Sequence, residues 1–122
     1  MISRELLNGR LNNVEGLLDK IAAVTAREDE GRRLQLVQLR RALAGELAIF
    51  TEMAEAYFSG TPDHAVYCDK LSRMRTSSAI HRSSWPAVMI DDGKSDFRNS
   101  AKPMREANRE FIRWMLRALA EH

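Results

Sequence analysis

Residues 34–58 read LQLVQLRRALAGELAIFTEMAEAYF and contain no proline. On a helix, Leu36, Leu39, Leu43, Phe50, Met53 and Tyr57 share the three-and-four spacing of one face. Leu34, Val37, Ala44, Leu47, Ala48 and Ala54 widen that face well beyond a single seam. A helix so broadly apolar needs more than one neighbour, and the remaining segments are expected to pack around it as an all-α bundle.

Upstream, Ser3 suits an N-cap, and Leu7, Leu11, Val14, Leu18 and Ile21 alternate at four and three, which makes a first helix over Ser3 to Val24. Gly9, Gly16 and Ala23 fall seven apart on the opposite face. That face reads either as a close-approach surface for another backbone or as an exposed, slightly weakened helix, and the neighbouring Asn12 and Asn13 favour exposure. Thr25 and Glu28 have capping-box spacing, so the second helix starts at Ala26, or at Arg32 if Gly31 ends a loop, and runs to Phe58.

Downstream, Ser59-Gly60-Thr61-Pro62-Asp63 is the clearest boundary in the chain. Gly60 suits a left-handed C-terminal cap, Thr61 an N-cap and Pro62 the first helical position. A third helix is expected over Pro62 to Ile80, presenting Tyr67, Cys68, Leu71 and Met74 on one face. Trp85-Pro86 interrupts helical continuation, so Ser83 to Ser100 is expected to be a short irregular segment, with a helical stretch over Ser95 to Lys102 and Asp91-Asp92-Gly93 as a turn. The last main helix is expected over Lys102 to Ala120, with Pro103 as a kink or a first-turn residue. Its stripe of Phe97, Ala101, Met104, Phe111, Met115 and Ala118, joined by Ile112, Trp114 and Leu119, is broken by Asn108, which reads either as a polar seam residue that fixes register or, as is more common, as a solvated residue at the seam's edge.

The expected fold is therefore an antiparallel bundle of four main helices in one domain, residues 1–122. At 122 residues the chain can bury roughly 65% of its unfolded surface. With 44% hydrophobic and 30% charged residues, its composition is that of a folded chain and not of a disordered one. The single cysteine, Cys68, cannot form an intrachain disulfide, and neither a signal-peptide core nor a membrane-length apolar run is present. A cytoplasmic protein with no membrane contact is the expectation.

The net charge of +2 is unevenly spread, with 8 basic and 9 acidic residues before Thr61 and 11 and 8 from there on. Arg98, Lys102, Arg105, Arg109 and Arg113 line one side of the last helix as a candidate polyanion site. Glu106 and Glu110, each three residues before an arginine, offer internal partners that argue for a solvated face instead. His64 and Cys68 are four apart on the third helix with His81 further along, a candidate metal set short of the four ligands of a closed zinc site. No nucleotide loop, nucleophile elbow or EF-hand order is present, and no cofactor is expected.

The apolar surplus points to self-association. Phe111, Ile112, Trp114, Met115 and Leu116 almost encircle one turn of the last helix, and Trp85 is a further apolar anchor, so a homodimer through these residues is expected; the alternative is a monomer in which the segment from Trp85 to Ile90 folds back over that belt. Function is read as a non-enzymatic regulatory or adaptor module that makes protein-protein contacts. The alternative is a bundle that binds a small molecule or metal, and a weak nucleic-acid binder ranks below both.

Overall fold

The structure is a computed structural model that describes residues 2–27, 29–84 and 94–121, without the side chains of 83–84 and 94–100. Among the described residues the chain forms four α-helices and no strand: α1 (Arg4–Thr25), α2 (Arg32–Phe58), α3 (His64–Ser84) and α4 (Lys94–Glu121). α1 packs mainly on α2 and α3 mainly on α4, while α1 touches α4 and α2 touches α3 more lightly. Both pairs are antiparallel. Arg10 and Asn13 of α1 bond Glu46 at the middle of α2 while Ile21 and Val24 near the end of α1 pack with Leu36 near the start of α2, and Lys70, in the first half of α3, pairs with Glu110, in the second half of α4. No helix among the described residues is long and apolar enough to cross a membrane.

Ser3 caps α1 by accepting from the Leu6 N–H at 3.1 Å, as its position suggests. The expected capping box at Thr25 does not form. Thr25 is the last residue of α1, and its hydroxyl donates back to the Ile21 carbonyl at 2.7 Å. Glu28 lies outside the described residues. The later start for α2 is the correct one, after Gly31. Fully buried Arg32 then donates from its guanidinium to the Arg27 carbonyl at 3.1 Å and the Thr25 carbonyl at 3.5 Å. The first residue of α2 thereby satisfies carbonyls left open at the end of α1.

At the α2–α3 boundary Gly60 has φ +78°, the left-handed cap expected of it. Thr61 and Pro62 do not open the helix, because the Thr61 hydroxyl donates backward to the Phe58 carbonyl at 2.7 Å. α3 starts two residues later than expected, at His64, and ends at Ser84, four residues beyond Ile80. The last helix also starts earlier than expected, at Lys94 instead of Lys102, with Pro103 inside it. Pro103 is exposed, so its ring displaces no core residue, while inside the helix it removes one backbone donor and crowds the preceding turn. Of the expected irregular segment, residues 83–84 and 94–100 are helical. Trp85 and the Asp91-Asp92-Gly93 turn fall outside the described residues.

The main core joins all four helices through Leu7, Leu11 and Val14, then Phe50, Ala54 and Phe58, then Tyr67, Leu71 and Met74, and finally Phe111, Ile112, Met115, Ala118 and Leu119. Phe58 is its centre: it stacks on Tyr67 at 5.3 Å, meets Tyr57 edge-on at 5.1 Å and tilts against Trp114 at 5.4 Å. The buried Tyr67 hydroxyl donates to the Thr51 carbonyl at 3.2 Å. A separate small cluster, Val24 and Leu36 backed by Ile21, Val37 and Leu39, contains only α1 and α2 residues.

A Cβ added at Gly9 or Gly16 would meet nothing within 4 Å, which decides for the exposed reading of that face. Ala at either position should therefore stabilise the fold by about 0.5–1 kcal/mol through helix propensity. Gly60→Ala should destabilise by roughly 1–2 kcal/mol despite equally open space, because only its positive φ resists a side chain. Urea unfolding of the three variants should show these opposite signs.

Candidate functional site

Away from the Phe58 cluster the two hairpins part, leaving a half-open cleft of about 560 Å³ between them. Its apolar lining includes Leu18 and Ile21 from α1, Leu43 and Leu47 from α2, Met74 from α3, and Met104 and Ile112 from α4. Thr51, Ser78, His81 and Asn108 add polar atoms. Six arginines also line it, Arg40, Arg75, Arg82, Arg105, Arg109 and Arg113, against two carboxylates, Glu15 and Asp19. Basic residues thus come from three helices onto one apolar-lined cavity, a size that suits small organic ligands.

Elementary helix spacing produces this convergence. On α2, Arg40, Ala44, Leu47 and Thr51 follow one another at four, three and four; on α3, Met74, Ser78 and His81 do so at four and three; on α4, Ala101, Arg105, Asn108 and Ile112 repeat four, three, four. Each helix carries a polar sub-stripe beside its apolar one, and the cleft is where those sub-stripes face each other. The Arg75 guanidinium is held by the Thr51 hydroxyl at 3.4 Å, and that hydroxyl donates to the Ala48 carbonyl at 3.3 Å.

His81 is only 3% exposed, and its pKa is lowered to about 4. Burial is the main cause, followed by the charges of Arg40 on α2 and Arg105 on α4. The imidazole is therefore neutral at pH 7, one nitrogen a donor and the other an acceptor. Arg40 has its own pKa lowered, first by burial and then by Arg82. The cleft is a field of like charges.

The candidate polyanion residues separate. Arg105, Arg109 and Arg113 line the cleft, Lys102 is exposed outside its lining, and the side chain of Arg98 lies outside the described residues. Of the internal partners offered to Arg109 and Arg113, Glu110 turns to Lys70 at 2.5 Å and meets Arg113 only through longer-range attraction. Among the described residues no carboxylate lies within 4 Å of Arg75, Arg82, Arg105, Arg109 or Arg113.

The candidate metal set separates too. His64 and Cys68 approach to 3.6 Å as their spacing suggests, but His81 lies seventeen residues along α3 from His64, roughly 25 Å by helical rise, and belongs to the cleft. Glu55, unforeseen from sequence, joins His64 at 2.7 Å instead. Of the residues expected at a dimer face, Phe111, Ile112 and Met115 are buried in the chain's own core. Trp114 is half-buried against that core, and Leu116 is 43% exposed. Asn108, expected to be solvated, is 7% exposed on the cleft wall.

Comparison with known proteins found no matching family model, no matching curated protein and no matching solved structure, so the geometry alone carries the functional case.

The His81 shift makes stability pH-dependent. The unfolded chain binds a proton at this residue near pH 6.5 and the folded chain only near pH 4. Acidification through that interval draws the equilibrium toward the unfolded state, and the contribution is fully present above pH 6.5. Urea unfolding should show a loss on the order of 1–3 kcal/mol between pH 6.5 and 4, and His81→Gln should flatten the slope.

Proposed function

We propose that the protein is a non-enzymatic binding module whose cleft takes an anionic amphiphile, an apolar chain or ring body carrying a carboxylate or phosphate head. The carrying observation is that five of the six cleft arginines have no carboxylate within 4 Å among the described residues while they flank an apolar lining. Guanidinium groups bind carboxylate and phosphate oxygens as forks, and such charge-assisted bonds are about twice as strong as neutral ones. Leu43, Leu47 and Ile112 would take the apolar body. Asn108 and His81 supply uncharged hydrogen bonds that orient the head.

A protein partner using the same cleft is the second reading. The lining runs from Leu36 to Thr51 on α2 and from Ala101 to Leu116 on α4, each roughly 22 Å by helical rise, long enough for four turns of an acidic amphipathic helix. The cleft is open along one side, so a whole helix of that length would be only partly enclosed by its walls, whereas a small ligand can sit within them. This favours the smaller ligand. A homodimer belongs to the same second reading; with Phe111, Ile112 and Met115 in the core, it would rest on Trp114 and Leu116. The exposed, unbridged Cys68 supports a reducing, cytoplasmic setting for either.

Calorimetric titration with dodecanoate and with dodecanol separates the terms. The acid should bind at one site at least about tenfold more tightly than the alcohol, and Arg105→Glu or Arg109→Glu should each lose about tenfold or more with helicity unchanged. Equal affinity for acid and alcohol, or binding of neither, would refute the amphiphile. Sedimentation equilibrium on the free chain checks the second reading, for which a concentration-independent mass near 13.9 kDa would remove the homodimer.

A further inference from the structure

A second set of side chains, independent of the cleft, converges at the α2–α3 turn. Glu55 lies on the last turn of α2, the positive φ of Gly60 reverses the chain, and His64 and Cys68 follow on the first two turns of α3. One carboxylate oxygen, one imidazole nitrogen and one thiol sulfur all fall within 4.8 Å of one another. We infer that Glu55, His64 and Cys68 form a three-ligand site for one borderline transition-metal ion, with Zn²⁺ the best match.

The distances fit that use. Zinc bonds of 2.0–2.3 Å at tetrahedral angles place ligand atoms about 3.3–3.8 Å apart. Cys68 Sγ and His64 Nε2 already stand at 3.6 Å, and Glu55 Oε1 at 2.7 Å from the same nitrogen needs to withdraw by less than an ångström. What the ion displaces is weak, because the Glu55–His64 pair is surface-exposed and such pairs contribute about 0–1 kcal/mol. The nitrogen and sulfur donors select against Mg²⁺ and Ca²⁺, which take oxygen ligands.

A catalytic arrangement of the same residues fits less well. In a Cys-His-carboxylate triad the thiol and the carboxylate engage opposite nitrogens of the ring, whereas here both address Nε2. Three donor atoms of different chemistry gathered around one gap are better matched to an ion held between them. Three protein ligands leave a fourth position open to water or to an external donor. Binding releases the Cys68 thiol proton to solvent, so affinity rises with pH.

The test is a titration of the intact, tag-free, reduced chain with Co²⁺, followed by displacement with Zn²⁺. A thiolate-to-cobalt band in the near ultraviolet, intense tetrahedral bands in the visible and a 1:1 endpoint are expected. Cys68→Ser should abolish the ultraviolet band, Glu55→Gln and His64→Ala should each weaken binding by about tenfold or more, and His81→Ala should leave it unchanged. The Glu55, His64 and Cys68 variants should keep the wild-type circular dichroism, since Glu55 and Cys68 are exposed and His64 is half-buried. Absence of the thiolate band at millimolar Co²⁺, or a band that survives Cys68→Ser, overturns the site.

Discussion

The ring cluster around Phe58 is the constraint on which the rest of this bundle depends. Phe58 meets Tyr57 of its own helix, Tyr67 of α3 and Trp114 of α4, and Phe50 meets Phe111 edge-on at 6.1 Å one layer further in. Each fully buried large side chain contributes about 1.5–3 kcal/mol and each ring pair about 0.5–1.5 more, so the densest cohesion sits where α2 ends and α3 begins. The other half of α2 is held to α1 by Val24 and Leu36 with their partly buried neighbours, and among the described residues that cluster draws nothing from α3 or α4. Two hairpins joined firmly at one end and loosely at the other leave a wedge between them. The cleft is that wedge.

This accounts for the breadth of the apolar face on residues 34–58, which was legible in the sequence as a need for more than one neighbour. Phe50, Ala54 and Phe58 go to the four-helix core and Leu36 to the small cluster, but Leu43, Leu47 and Ala48 line the cleft. Periodicity reports that a residue avoids water in some state; it does not report whether the neighbour is a helix or a ligand. The belt on α4 divides. Phe111, Ile112 and Met115 are covered by the chain's own helices, since α4 sits against α1 and α3 and its rings reach α2, while Trp114 is half-buried and Leu116 stays exposed.

Local chemistry was readable where it depended on neighbours in sequence. Ser3, the positive φ of Gly60 and the four-residue step from His64 to Cys68 all behave as their spacing implies. Glu55 was not readable as their companion, because the turn at Gly60 sets where the last turn of α2 meets the first turn of α3. Pro103 misplaced the start of α4 because a proline at a helix start and one tolerated on an exposed helical face look alike in sequence. The arginines of the cleft were each visible, but their convergence depends on the relative placement of the two hairpins.

The electrostatics of that convergence run against stability. Burial and then Arg82 disfavour the charge on Arg40, burial and then Arg40 and Arg105 hold His81 neutral, and Glu110, the carboxylate nearest in sequence to Arg109 and Arg113, is committed to Lys70. A fold selected only for cohesion would place carboxylates among such guanidinium groups or replace them with apolar residues, since burying like charges costs free energy without return. Solvent reaching the exposed Arg75, Arg82, Arg109 and Arg113 keeps the cost small enough for the Phe58 core to offset. An anion entering the cleft would reverse the sign of these terms at once, relieving repulsion and adding charge-assisted hydrogen bonds. It would also stabilise the folded state in proportion to its occupancy, because it binds an arrangement that the unfolded chain lacks. The crowding of like charges and the apolar-lined cavity therefore coincide, and one anionic apolar ligand would satisfy both.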